Sequence, residues 1–184
     1  MKILIGITGA SGSVYAVRLL EELSKRELEL HAVFSRTGEQ VMKFECDCGK
    51  ERFPNVKWYE SDNMFAEIAS GSAKIDRMII VPCSVNTLSC IAHGISNNLL
   101  QRAASVMLKE KRDLVVVPRE TPFDSIALES MLKLSQAGAT ILPASPGFYH
   151  SPKSLDDLVD FVVGKILNLI NIPHELFTPW TEPQ

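Results

Sequence analysis

The chain has 184 residues, a formal net charge of −3 at neutral pH, 46% hydrophobic residues and 22% charged ones. That length suits one domain with enough buried surface to fold without staples, and that composition excludes disorder. The acidic balance offers no basic footprint for nucleic acid, and no stretch approaches the ~20 apolar residues of a membrane span.

Lys2–Ile7 is a short, almost unbroken apolar run that ends in a glycine turn. A strand buried on both faces reads this way. The run is far shorter than the apolar region of a signal peptide. With no leader expected, Cys46, Cys48, Cys83 and Cys90 are expected to be free thiols in a reducing cytoplasm. Val14–Lys25 repeats apolar residues at helical spacing, Leu28–Phe34 reads as a second strand, and Gly38–Glu45 as a second helix. Cys46–Ser61 has no clear period and is long for a connection, so a functional or interface role is expected there. Arg77–Pro82 is a third buried strand, Asn86–Ala92 and Leu99–Glu110 are helices, and Leu114–Pro118 is a fourth strand. Phe123–Ala137 is a helix stopped by Gly138, followed by a short strand at Thr140–Leu142. Ser154–Asn171 closes the chain as a long helix with Ser154 as its cap and Asp157 three residues on.

Strands alternating with helices imply a parallel sheet with helices on both faces, a three-layer α/β/α Rossmann-like (flavodoxin-like) single domain. Residues 172–184 form a C-terminal tail expected to pack over the active site or a neighbouring subunit. In such a sheet, ligands sit beyond the carboxyl ends of the strands. That rule selects the loops Thr8–Ser13, Ser35–Thr37, Cys83–Thr87 and Arg119–Pro122.

The first of these, Gly9-Ala10-Ser11-Gly12-Ser13, joins a strand to a helix, so its amides and the helix N-terminus favour an anion. It lacks both the Gly-x-Gly-x-x-Gly spacing and the Gly-Lys-Ser/Thr of an NTPase loop, so ATP is not expected. A tight turn without a ligand is the plain alternative. In Pro82-Cys83-Ser84-Val85-Asn86-Thr87, the Ser84 and Thr87 hydroxyls suit a phosphate or a flavin edge, while Ser84 also caps the next helix. Cys83 reads as a buried packing thiol. No metal is expected, because Cys46-x-Cys48 has no second pair and the four histidines are scattered. Arg102 and Lys109 lie two helical turns apart on one face, and with Arg119 they are expected to form a cationic pocket. The loop Pro143–Lys153 carries three prolines and presents Phe148, Tyr149 and His150. Tyr149 is a phosphate donor there or, on the plain alternative, a packing residue.

Taken in order, Thr8-Gly-Ala-Ser-Gly12, Pro82-Cys-Ser84 with Thr87-Leu-Ser89, and Arg102-Ala-Ala104 with Leu108-Lys-Glu110 resemble the UbiX-type flavin prenyltransferases. Pro118-Arg-Glu-Thr-Pro122, Gly147-Phe-Tyr-His150 and Ser154-Leu-Asp-Asp-Leu158 complete the set. The resemblance implies reduced FMN and dimethylallyl monophosphate as substrates. The product would be prenylated FMN, handed to UbiD-type decarboxylases in a pathway such as ubiquinone biosynthesis. It places Gly9, Ala10, Ser11, Ser35, Ser84, Val85, Asn86, Thr87 and Arg119 against FMN. It surrounds the prenyl phosphate with Arg102, Lys109, Glu120, Tyr149 and Lys165, some from neighbouring subunits, with Trp180 as a cover. Glu120, Ser11, Lys109 and Glu45 are the implied catalytic group, and no metal takes part. Lys165 stands where many relatives carry arginine, giving a point charge instead of a fork. The resemblance also implies a homododecamer, and extra apolar surface at Phe161 and Leu169 on the last helix points to an oligomer. Two alternatives remain: a flavin-dependent decarboxylase of the cysteine-peptide type, and a non-catalytic FMN carrier.

Overall fold

A computed structural model describes residues 1–180. The strands are β1 (Lys2–Ile7), β2 (Glu29–Phe34), β3 (Val56–Tyr59), β4 (Arg77–Cys83), β5 (Asp113–Pro118) and β6 (Thr140–Ile141). The helices are α1 (Ser13–Ser24), α2 (Arg36–Cys46), α3 (Val85–Ala92), α4 (Leu99–Lys109), α5 (Ser125–Gln136) and α6 (Leu155–Leu169). The sheet runs β3-β2-β1-β4-β5-β6 with each neighbouring pair parallel. This is the doubly wound Rossmann order, distinct from the flavodoxin order, and its switch point lies between β1 and β4.

The buried runs of β1, β4 and β5 serve two cores because successive side chains point to opposite faces. Ile3, Ile5, Ile7, Ile79, Val81, Val115 and Val117 pack with α1 and α6. Leu4, Met78, Ile80, Leu114 and Val116 pack with α3 and α4. Each such aliphatic side chain stabilises the fold by roughly 2 kcal/mol. Arg18 of α1 locks α6 alongside, donating from Nε to Asp160 at 2.6 Å.

The sequence reading missed one strand. Cys46–Ser61 holds β3, an edge strand in which Val56 alone is buried, preceded by a 3₁₀ turn at Lys50–Arg52. Four residues with one buried side chain show no readable period. Cys48 and Phe53 are buried in the α1/α6 core, so this connection has a packing role.

The last helix begins as its sequence indicates. Ser154 Oγ accepts the Asp157 amide at 3.2 Å, and Asp157 Oδ2 accepts the Ser154 amide at 3.0 Å. Phe161 corrects the expectation of a second face for a partner. It is buried within its own chain, stacked on His150 with ring centroids 5.1 Å apart and against Phe177 at 4.9 Å. Leu155 and Leu169 remain exposed.

Candidate active site

The carboxyl ends of β1, β2, β4 and β5 are stitched into one rim. The Thr8 hydroxyl is fully buried, donates to the Pro82 carbonyl at 2.7 Å and accepts the Ser84 amide at 2.8 Å. It thereby fixes the loop after β1 against the loop after β4. Ser35 donates its amide to the Ile7 carbonyl at 2.8 Å, and its hydroxyl caps α2 by accepting the Gly38 amide at 3.1 Å. Ser84 caps α3 by accepting the Thr87 amide, and its hydroxyl meets that of Thr87 at 3.1 Å. Arg119 donates from Nε to the Ser11 carbonyl at 3.0 Å and from its amide to the Cys83 carbonyl at 3.2 Å. Gly9, Ala10, Ser11, Ser35, Ser84, Val85, Asn86, Thr87 and Arg119 therefore share one edge of the sheet. Glu120 is exposed on the same rim, its carboxylate accepting the Thr121 amide at 3.0 Å. Beneath it Cys83 is fully buried, and burial pushes its thiol far up, as suits a packing residue.

The turn after β1 differs from the open anion cradle expected of it. Gly12 adopts φ 104°, a backbone that favours glycine, and turns its amide away from the strand. That amide and the Ser13 amide both donate to Glu45 Oε2, each at 2.9 Å. The anion at the N-terminus of α1 is thus the protein's own carboxylate. Burial raises the Glu45 carboxyl, but hydrogen bonds from the Ser11 hydroxyl and from the Ser13 and Gly12 amides outweigh it and hold the group below its ordinary value. Glu45 and Ser11, two of the implied catalytic group, are brought together here at the N-terminus of α1.

Two cavities hold expected site residues, and the first of them adjoins the rim. One, of about 600 Å³, lies past the ends of β2 and β3 and is lined by Ser35, Arg36, Trp58, Tyr59 and Asn97 among others. Trp58 forms its wall by stacking on Phe34 at 4.7 Å, a role hidden in the sequence because β3 was not legible. The other, of about 850 Å³, is lined by Tyr149, His150, Lys165, His174, Phe177 and Trp180 among others. Both volumes suit small ligands. Tyr149 meets the edges of Phe161 and Trp180 with centroids 5.6 and 5.4 Å apart. Tyr149, Lys165 and Trp180 therefore share one aromatic-walled cavity, which Lys153, Asp157 and Glu175 line as well.

The cationic pocket of Arg102, Lys109 and Arg119 does not form within one chain. Helix α4 starts beside the first cavity, where the Leu99 amide meets the Ser61 carbonyl. It then runs back against the strands for roughly 16 Å. Lys109 pairs with Glu110, whose carboxylate stands over Gly71, in the connection entering β4. Lys109 is thus at the amino edge of the sheet, opposite the rim that carries Arg119. Arg102 lies partway along, donating from Nε to the Ala69 carbonyl at 3.0 Å. Helical spacing put Arg102 and Lys109 on one face correctly, but that face leads away from the rim.

Comparison with known proteins decides the family. The family model described as Flavoprotein matches residues 1–167. The flavin prenyltransferase UbiX of Halalkalibacterium halodurans is 53% identical over 190 residues, covering 97% of this chain and 92% of the relative. The chain belongs to the flavin prenyltransferase UbiX family. A crystal structure of the UbiX protein PadA1 in complex with FMN and dimethylallyl pyrophosphate superposes with a TM-score of 0.96, at 37% identity over 100% of this chain and 98% of that one. A dodecameric FMN-dependent UbiX-like decarboxylase from Escherichia coli gives 0.95, at 37% identity over 98% and 100%. This UbiX-family chain is a flavoprotein transferase that uses FMN. Among the described residues, no helix is long and apolar enough to cross a membrane.

Proposed function

We propose that the chain joins the dimethylallyl group of dimethylallyl monophosphate to N5 and C6 of reduced FMN, releasing phosphate. The product would be prenylated FMN, taken up by a UbiD-type decarboxylase. The observation that carries the reading is the division of the site: a polar rim at the switch point, and a separate cavity joining Tyr149, Lys165 and Trp180.

The rim fits a flavin mononucleotide. Hydroxyls of Ser35, Ser84 and Thr87 supply donors to its phosphate and polar ring edge, the N-terminus of α3 favours the phosphate, and Arg119 adds a fixed cation. The adjoining 600 Å³ cavity leaves room for a flat ring beside Trp58. Reduced FMN supplies the nucleophilic N5 and C6.

The chain's own residues do the rest. Cleaving an allylic C–O bond puts negative charge on the leaving phosphate, which donors aimed at its oxygens stabilise. The Tyr149 hydroxyl and the Lys165 ammonium are placed for this in one cavity, and Lys109 and Arg102 join them from another subunit. Ser11, next to the Gly12 amide that Glu45 holds, orients toward the reacting edge of the flavin. Ring closure adds a proton to the alkene carbon of the transferred group, which makes its tertiary carbon the electrophile, and removes one from C6; Glu120, exposed on the rim, is the acid–base group that gives the first and takes the second. The aromatic wall of Tyr149, Phe177 and Trp180 keeps water from the allylic carbon. Lys109 lies at the far edge of its own sheet, and Phe44, Ile126, Leu128 and Leu132 are exposed. Both features support an assembly in which neighbouring copies complete each site, a homo-oligomer such as a dodecamer.

The test of the recipient is direct. Small-molecule product from an anaerobic reaction, filtered free of protein and added to an apo UbiD-type decarboxylase, should restore carbon dioxide release. Filtrate that leaves the decarboxylase inactive would contradict the reading. Running monophosphate and diphosphate donors in parallel measures which the Lys165 cavity prefers.

A further inference from the structure

Glycine inside a long helix weakens it, so a mid-helix glycine usually serves packing. Gly164 occupies such a place in α6, one residue before Lys165. A Cβ there would stand 2.6 Å from a ring carbon of Phe177 and 2.7 Å from one of His174. The bare backbone at Gly164 is thus the seat of the segment after α6. Three further contacts tie that segment to the rest of the chain and two brace it internally. Arg26 of α1 donates from Nη2 to the Pro173 carbonyl at 2.8 Å. His174 Nδ1 accepts the Leu176 amide at 3.1 Å, which leaves Nε2 to donate to Asn168 Oδ1 at 3.1 Å. Phe177 lies against Phe161 and against the His174 ring, with centroids 4.9 and 5.3 Å apart. Beyond these anchors the segment delivers Trp180, two-thirds exposed, edge-on to Tyr149 at 5.4 Å.

We propose that Phe177 and His174, seated on Gly164, are positioning residues that hold the 172–180 segment as a strap, so that Trp180 closes the cavity of Tyr149 and Lys165. This rests on the reading of that cavity as the prenyl-donor site. The strap touches neither Ser11 nor Ser84, so it governs the donor and leaves the flavin alone. Its ligand is the five-carbon allylic chain: Trp180 and Tyr149 offer aromatic surface, and Lys165 marks the charged end.

Trp58 and Trp180 are the chain's two tryptophans, so Trp58→Phe leaves Trp180 as sole reporter. In that background, Gly164→Ala and Phe177→Ala are compared by acrylamide quenching without any substrate. Alanine is the better helix former, so Gly164→Ala is expected to fold. Both variants should make Trp180 about twofold or more easier to quench, as a loosened aromatic contact is. With Trp58 restored, both substitutions should raise KM for dimethylallyl monophosphate by up to about tenfold and leave the dissociation constant for FMN at its wild-type value. In a Trp180→Ala background, Phe177→Ala should raise KM no further, because it acts through Trp180. Unchanged quenching in both variants, or a full additional KM penalty in the Trp180→Ala background, would overturn the proposal. Quenching needs no turnover, so the strap is tested even if the prenyl-transfer reading itself fails.

Discussion

The hydroxyl of Thr8 accepts the amide of Ser84 at 2.8 Å, joining the two loops that flank the switch point of the sheet. The same hydroxyl donates to the Pro82 carbonyl. Thr8→Val keeps the shape and removes both bonds, stranding the Ser84 amide. The expected loss is about 1–3 kcal/mol of stability, read as a lower denaturation midpoint at unchanged m. FMN affinity should fall as well, because the two loops that receive the flavin lose their common anchor.

Glu45 supplies the anion at the N-terminus of α1. Its carboxyl sits below its ordinary value because the Ser11, Ser13 and Gly12 hydrogen bonds outweigh burial. A lowered folded value means the contribution is present at neutral pH and is lost as pH falls from the ordinary value of about 4.3 through the folded one. Glu45→Gln should therefore flatten the acid limb of the pH–stability profile. The group is largely solvent-exposed, so the change at neutral pH should be under about 1 kcal/mol. Turnover should fall more than stability, because glutamine keeps an acceptor for the turn but removes the charge beside Ser11.

Lys109 and Tyr149 lie on opposite faces of one chain's sheet, Lys109 on α4 and Tyr149 against Phe161 of α6. Lys109→Ala and Tyr149→Phe should each nearly abolish prenyl transfer as pure oligomers. Unfolding the two together and reassembling them should recover activity, up to about a quarter of wild type for random assortment of two contributing chains. Mixed oligomers no more active than either parent would show that one chain supplies both groups.

His174 accepts the Leu176 amide at Nδ1, so that nitrogen is unprotonated. Burial lowers the imidazole below its usual value and the Arg26 charge adds to this, against the Gly164 backbone and the carboxylates of Glu22 and Asp160. A histidine with a lowered folded value favours the folded arrangement fully above about 6.5, and this is lost as pH falls through the folded value. Trp180 quenching should therefore rise on acidification below about pH 6.5, and His174→Gln should remove that step.

The legible parts of this chain are those whose signal is local. β1, β4 and β5 read clearly because strands buried on both faces become runs of Ile and Val. The α6 cap was readable because Ser154 and Asp157 are three residues apart. β3 was not, because an edge strand with one buried residue carries no period. The Glu45 anchor was hidden by separation: it stands 32 positions from Ser13. The position of Lys109 needed the direction of α4 relative to the strands, which residue spacing along one helix does not contain. Gly164 did carry a signal, a glycine inside a strong helical pattern, but its meaning required knowing that Phe177 returns to it.

If the chain is a prenyltransferase, the flavin leaves it chemically changed. The measurement is the mass of the flavin recovered after anaerobic incubation of the protein with FMN, a reductant and dimethylallyl monophosphate. A flavin heavier by one five-carbon unit is expected, with one phosphate released for each flavin converted, and loss of both with Lys165→Ala. Recovery of FMN at its original mass, with the protein saturated by both ligands, would contradict it.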